Sequence, residues 1–135
     1  MTLTPNHLFS QLSQRSVTFP NRIAVSPMCQ YSYIDGFSDE WQLVHLGSRA
    51  VGGAEVVFTE AAAVSPEGRI TLGDLGLWSD AHVAPLAKIT SLVKAQGSVP
   101  GIQLAHAGRK ATRLRAVSLR PAQSSSPLFL SSSVI

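Results

Sequence analysis

Up to Pro20 the chain is polar and mixed, and beyond it short apolar runs alternate with longer amphipathic ones. Ile23-Ala24-Val25 leads straight into Ser26-Pro27-Met28, the pattern of a short buried strand stopped by proline. Gly36 marks a loop, after which Asp39 can cap a helix whose apolar positions Leu43, Val44, Leu46, Ala50 and Val51 recur at helical spacing. Gly52-Gly53 ends it. The run from Glu55 to Ala61 is β-branched and aromatic in its middle and polar at its ends, which predicts a second buried strand. A glycine-rich loop from Gly68 to Gly76 follows. Ser79 or Asp80 then caps a helix carrying Val83, Leu86, Ile89, Leu92 and Val93, with Pro85 in its first turn and Gly97 at its end. Val99 to Ala105 reads as a third strand, ending at His106.

Strand, helix, strand, helix, strand is the order of a parallel α/β architecture, which places functional residues at the carboxyl ends of its strands. Those ends are Pro27–Cys29, Glu60–Ala61 and Gln103–His106. With 135 residues, 44% of them hydrophobic and 14% charged, the composition is that of one globular domain. Its longest apolar stretches, Val56–Phe58 and Ala61–Val64, fall far short of the roughly 18 residues of a membrane span. Met1 to Asn6 lacks the basic start and apolar run of a secretory signal, and the single cysteine, Cys29, excludes a disulfide framework and a multi-cysteine metal site. The expectation is a cytoplasmic protein without a membrane partner.

The net charge of +3 invites a nucleic-acid reading until its location is considered. Residues 1–111 carry eight Lys/Arg and eight Asp/Glu, so the excess lies in Arg113, Arg115 and Arg120, with no aromatic side chain interleaved. No nucleic-acid partner is expected. Residues 112–135 also contain seven serines, no acid and no glycine, and show neither helical nor strand periodicity. They are expected to be a disordered or aberrant tail outside the fold formed by residues 1–111.

The strand ends carry a resemblance. Asn21-Arg22-Ile23, Ser26-Pro27-Met28-Cys29-Gln30-Tyr31-Ser32, Glu60-Ala61, Gly68-Arg69-Ile70 and above all Gly101-Ile102-Gln103-Leu104-Ala105-His106-Ala107-Gly108-Arg109-Lys110-Ala111 resemble the old yellow enzyme family of FMN-dependent ene reductases. The cysteine after Ser-Pro-Met resembles the family's thermophilic-like subgroup. The similarity runs from about residue 17 to Ala111. It implies a TIM barrel holding FMN at the carboxyl face of its strands, reduced by NADPH or NADH and passing hydride to an activated alkene. The fold class is therefore α/β, the first three β/α units of an incomplete (β/α)8 barrel. By resemblance Ser26, Pro27 and Met28 lie against the flavin, and Cys29 sits beside the isoalloxazine edge. Ala61 gives a close backbone approach, Gln103 hydrogen-bonds the ring through its amide, and Tyr31 lines the substrate side.

Each of these residues has a plainer reading. Ser26-Pro27 also suits a strand stop, Cys29 a small buried hydrophobe and Tyr31 a packed loop aromatic. Gln103 within an apolar strand is expected to be a buried amide that needs partners. His106 reads more readily as structural than as catalytic, and no residue is assigned a catalytic role. His7, His45, His82 and His106 have no helical-spacing ligand partner, so no metal is expected, and the glycine-rich loop lacks the lysine of a P-loop. The substrate-anchoring histidine pair, the protonating tyrosine and the phosphate-binding arginine of the family's later units have no matching position. Three open parallel strands disfavour a stable monomer, so the chain is expected to be truncated by a frame change or stop and inactive alone. A complete family member is compatible with a homo-oligomer. A self-contained flavin- or nucleotide-binding module and a non-functional gene remnant are the alternatives.

Overall fold

The computed structural model describes residues 7–111. In chain order its elements are β1 (Leu12–Gln14), β2 (Val17–Phe19), β3 (Ala24–Val25), α1 (Glu40–Val51), β4 (Val56–Ala63), β5 (Leu75–Gly76), α2 (Val83–Ala95) and β6 (Val99–Ala105). Short 3-10 turns occupy Pro66–Gly68, Asp80–His82 and Gly108–Lys110. The tail expected from residue 112 onward lies outside the described residues.

The three expected strands are β3, β4 and β6, and β4 pairs in parallel with both of the others. Strand β6 follows one edge of β4 from Val56↔Val99 to Ala63↔Ala105. The opposite edge is shared, with β3 at its start through Ala24↔Val56 and β5 at its end through Ala62↔Leu75. Parallel pairing needs long crossovers, which α1 and α2 supply. Strand β4 runs past the expected end at Ala61 to Ala63, because β5, hidden within the glycine-rich loop, extends the ladder there. Between Phe58↔Gly101 and Ala61↔Gln103 the register slips by one residue, a β-bulge in β4.

Both helices cover the same face of the sheet. Leu46 and Ala50 from α1, Ala54 and Val57 from the β4 region, and Ile89 and Val93 from α2 form one buried cluster. Helix α1 begins where its sequence demands. The Asp39 side chain accepts from the Trp41 N–H at 2.8 Å, and Gln42 Oε1 accepts from the Asp39 N–H at 3.0 Å, a reciprocal cap that satisfies orphan donors. The cap also turns the helix. Gln42 is buried, whereas Val44 and Val51 are 62% and 69% exposed, so two of the expected apolar positions lie off the core face. Helix α2 follows a turn capped by Ser79, holds Pro85 in its first turn and ends at Gly97, whose φ of 84° only glycine adopts easily.

The β1–β2 hairpin was not legible in the polar N-terminal stretch. Its two-residue turn is Arg15-Ser16, with Arg15 at φ 55° in place of the usual glycine or asparagine. The glycine-rich loop is equally ordered. Asp74 accepts hydrogen bonds from the N–H groups of Ile70 at 2.7 Å and Thr71 at 3.0 Å, and the Gly73 N–H donates to Thr71 Oγ1 at 3.0 Å. Those donors are consumed within the loop, which leaves them unavailable to a phosphate. Gly73 packs directly on the backbone of Tyr31, where a Cβ would collide with the Tyr31 carbonyl, and its own carbonyl accepts from the Tyr33 N–H at 3.1 Å.

Two substitutions test these constraints. Asp39→Ala removes the α1 cap and is expected to cost about 1 kcal/mol, read as a lower urea midpoint at unchanged slope. Gly73→Ala forces the two loops apart and is expected to cost about 1–3 kcal/mol by the same measurement.

Candidate active site

The carboxyl ends of three parallel strands meet at one edge of the sheet. Ser26, Pro27, Met28 and Cys29 follow β3 directly, Ala61 lies on β4 just beyond its bulge, and Gln103 is the register partner of Ala61 on β6. Ser26 and Met28 are exposed, Pro27, Cys29 and Tyr31 are half-buried, and Ala61 is buried. The residues singled out in the sequence are thus brought together. One expectation about them fails: Gln103 is exposed, because β6 is the outer strand of the described sheet and no later element covers that face. Its amide has no hydrogen-bond partner among the described residues.

The Cys29 thiol sits among polar groups. Burial pushes it up from its ordinary range, the Ala61 N–H pulls it down, the charges of Glu60 and Asp74 push it further up, and the Tyr31 hydroxyl pulls it down. Tyr31 is itself raised by burial and by proximity to Cys29. Its backbone takes φ 54°, the left-handed region that a tyrosine rarely occupies without support.

That support comes from residues assigned no role in the sequence. Glu60 is 4% exposed, and the β4 bulge turns its carboxylate toward the loop after β3. Its Oε2 accepts from the Gln30 N–H at 2.6 Å and its Oε1 from the Tyr33 hydroxyl at 3.1 Å, with the Tyr31 N–H also within its field. Burial raises the Glu60 carboxyl, and these three donors oppose the shift. The first turns of α1 hold the same loop from its other side. Trp41 Nε1 donates to Gln30 Oε1 at 2.7 Å, Gln30 Nε2 lies 3.3 Å from His45 Nδ1, and Gln42 Nε2 donates to Ser32 Oγ at 2.8 Å. The available signal was an acid at a strand end, where burial favours donors around it, although it did not single out Glu60: Glu55, equally buried before the same strand, has one carboxylate oxygen without a partner among the described residues.

The other candidates sit apart from chemistry. His106 is exposed, its Nδ1 accepts from the Gly108 N–H at 3.1 Å, and its ring rests on Gly68. Arg109 and Lys110 are exposed in the following turn. Among the described residues no three His, Cys, Asp or Glu side chains gather as a metal site, and no helix is long and apolar enough to cross a membrane. A cavity of about 420 Å³ opens between α2 and the outer face of the sheet, lined by Val57, Leu86, Ile89, Val93 and Ile102. It lies on the helix side, away from Cys29.

Residues 7–131 match the model of the NADH:flavin oxidoreductase / NADH oxidase family, past Ala111, where the resemblance read from the residues stops. The NADPH dehydrogenase of Bacillus subtilis (strain 168) is 51% identical over 106 residues, covering 77% of this chain and 31% of that protein. An NADH:flavin oxidoreductase of Gibberella zeae is 47% identical over 105 residues, covering 78% of this chain and 25% of that protein. The chain therefore spans about a third of the length of the curated relatives it matches, or less. Among solved structures, morphinone reductase superposes with a TM-score of 0.75 at 29% identity, over 82% of this chain and 29% of the other. The old yellow enzyme from Trypanosoma cruzi gives 0.71 at 28% identity, over 77% and 28%. The unclosed parallel sheet is thus the opening set of β/α units of a TIM barrel, and the chain belongs to the NADH:flavin oxidoreductase / NADH oxidase family.

Proposed function

We propose that this chain contributes the first flavin-facing contacts of an FMN-dependent oxidoreductase that passes hydride from NADPH or NADH to an activated alkene. The observation that carries the reading is the convergence of Cys29, Ala61 and Gln103 at adjacent carboxyl strand ends. The surface fits a flat ring. Ala61 and Gly101 keep side-chain bulk low, Phe58 is apolar beside them, and the Gln103 amide, without a partner among the described residues, offers both a donor and an acceptor. FMN, when bound, supplies the hydride chemistry. The residues of this chain would hold it: Ser26, Pro27 and Met28 against the ring, Cys29 at its edge, Ala61 as a close backbone approach, and Gln103 through its amide. Tyr31 would face the substrate. All of these lie within residues 1–111, the portion we assign to the flavin-binding barrel.

The same surface argues against turnover by these residues alone. Gln103 is exposed on the outer strand β6, and no described element covers the face it shares with Ala61, so the face that would shield a flavin from water stays open there. The 135-residue chain is expected to oxidise no NADPH above background.

A chimera provides the test, with residues 7–111 replacing the corresponding segment of the Bacillus subtilis NADPH dehydrogenase. It is expected to purify with flavin absorbance and to oxidise NADPH. Gln103→Ala in the chimera removes one ring contact worth about 1 kcal/mol, which weakens FMN binding several-fold. A chimera that folds but carries no flavin, even with FMN added, would overturn the proposal.

A further inference from the structure

We propose that Glu60 is a positioning residue, whose buried carboxylate, aimed by the β4 bulge, holds the loop from Gln30 to Tyr33 so that the Cys29 thiol and the Tyr31 hydroxyl stay at the strand ends. The proposal deepens the flavin-site reading and rests on it only for what Cys29 and Tyr31 serve. The geometric case is independent of any cofactor. Residues Ser26 to Ser32 lie outside every helix and strand, so their backbone donors need partners elsewhere. Glu60 supplies an acceptor for the Gln30 N–H at 2.6 Å and anchors the Tyr33 ring through its hydroxyl at 3.1 Å. Tyr33 is 1% exposed and packs with Ala62 and Leu75, which ties the loop to both β4 and β5. Between Gln30 and Tyr33 the chain must turn through the left-handed Tyr31, which Gly73 backs directly. With both sides of Tyr31 pinned, the backbone that carries its side chain is held, and the same bond at Gln30 holds the residue next to Cys29.

Glu60 acts on the thiol in a second way, through charge. The ionisable groups around Cys29 are Glu60, Asp74 and Tyr31, with Tyr33 bonded to Glu60 behind them, and no cationic side chain figures among them. Removing Glu60 therefore both releases the loop and takes away a negative charge that disfavours the thiolate.

Cys29 is the only cysteine, so its alkylation reads the loop without labelling. The full chain, with no flavin added, is treated with iodoacetamide between pH 6 and 10, as wild type, Glu60→Gln and Tyr33→Phe. Glu60→Gln is expected to raise the rate at pH 8 by at least about tenfold and to lower the apparent thiol pKa toward that of a free cysteine. Tyr33→Phe, which keeps the charge and loses one anchor, is expected to raise the rate several-fold. Both increases should be independent of low urea, as expected of local loop release and not of global unfolding. Rates and pH midpoints within twofold of wild type in folded variants would overturn the proposal, as would an increase that grows with urea. If Glu60→Gln does not fold, Tyr33→Phe decides alone by the same criteria. Because no flavin takes part, loss of FMN binding in the chimera with these thiol effects intact would remove the flavin reading and leave the positioning role standing.

Discussion

A buried carboxylate with three donors around it organises this end of the molecule. In a low-dielectric setting an ionised acid without partners costs several kcal/mol, so Glu60 stays charged when buried only if the chain brings N–H and O–H groups to it. Gln30, Tyr31 and Tyr33 are those groups, and meeting the demand of Glu60 fixes a loop that has no ladder of its own. The bulge in β4 is part of the same device, since it re-aims this part of the strand without ending the pairing with β6. Function-bearing loops on rigid scaffolds commonly need such side-chain supports, because their backbones lack regular partners.

The support extends outward in layers. Behind Gln30 stand Trp41 and His45, and behind Ser32 stands Gln42, so the capping box of α1 serves the loop as well as the helix. On the other side Asp74 gathers the glycine-rich segment and presents Gly73 to the Tyr31 backbone. Three polar clusters, centred on Glu60, Gln42 and Asp74, thus converge on the few residues that follow β3. The apolar core of Leu46, Ala50, Val57, Ile89 and Val93 sets where the helices sit, and Leu86 joins it to the Tyr33 cluster that anchors the loop.

Which parts could be read from residues follows from the same division. Strands β4 and β6 and both helices are dictated by local pattern and caps, and Asp39, Gly97 and the apolar runs marked them. The strand-end placement of Ser26 to Cys29, Ala61 and Gln103 follows from topology, so it too was legible. The hairpin at Leu12 to Phe19 was not, since Arg15-Ser16 has neither the glycine nor the asparagine of a two-residue hairpin turn and its largely exposed strands carry no buried apolar pattern. Gln103 was misjudged because an apolar strand suggests burial, whereas burial depends on neighbours beyond β6. Glu60 went without a role because its partners are thirty residues away in sequence and meet it only through the fold.

In the proposed flavin site the open face beside Gln103 would receive the ring, and the pinned loop beside Cys29 would frame the side chains at its edge. The frame is the claim on which the rest depends, and amide hydrogen exchange measures it most directly. In the wild-type chain the N–H groups of Gln30, Tyr31 and Tyr33 are expected to be protected to a degree comparable with those of β4, although they belong to no strand or helix. Exchange of these amides at the rate of an unstructured loop, with β4 still protected, would contradict the account.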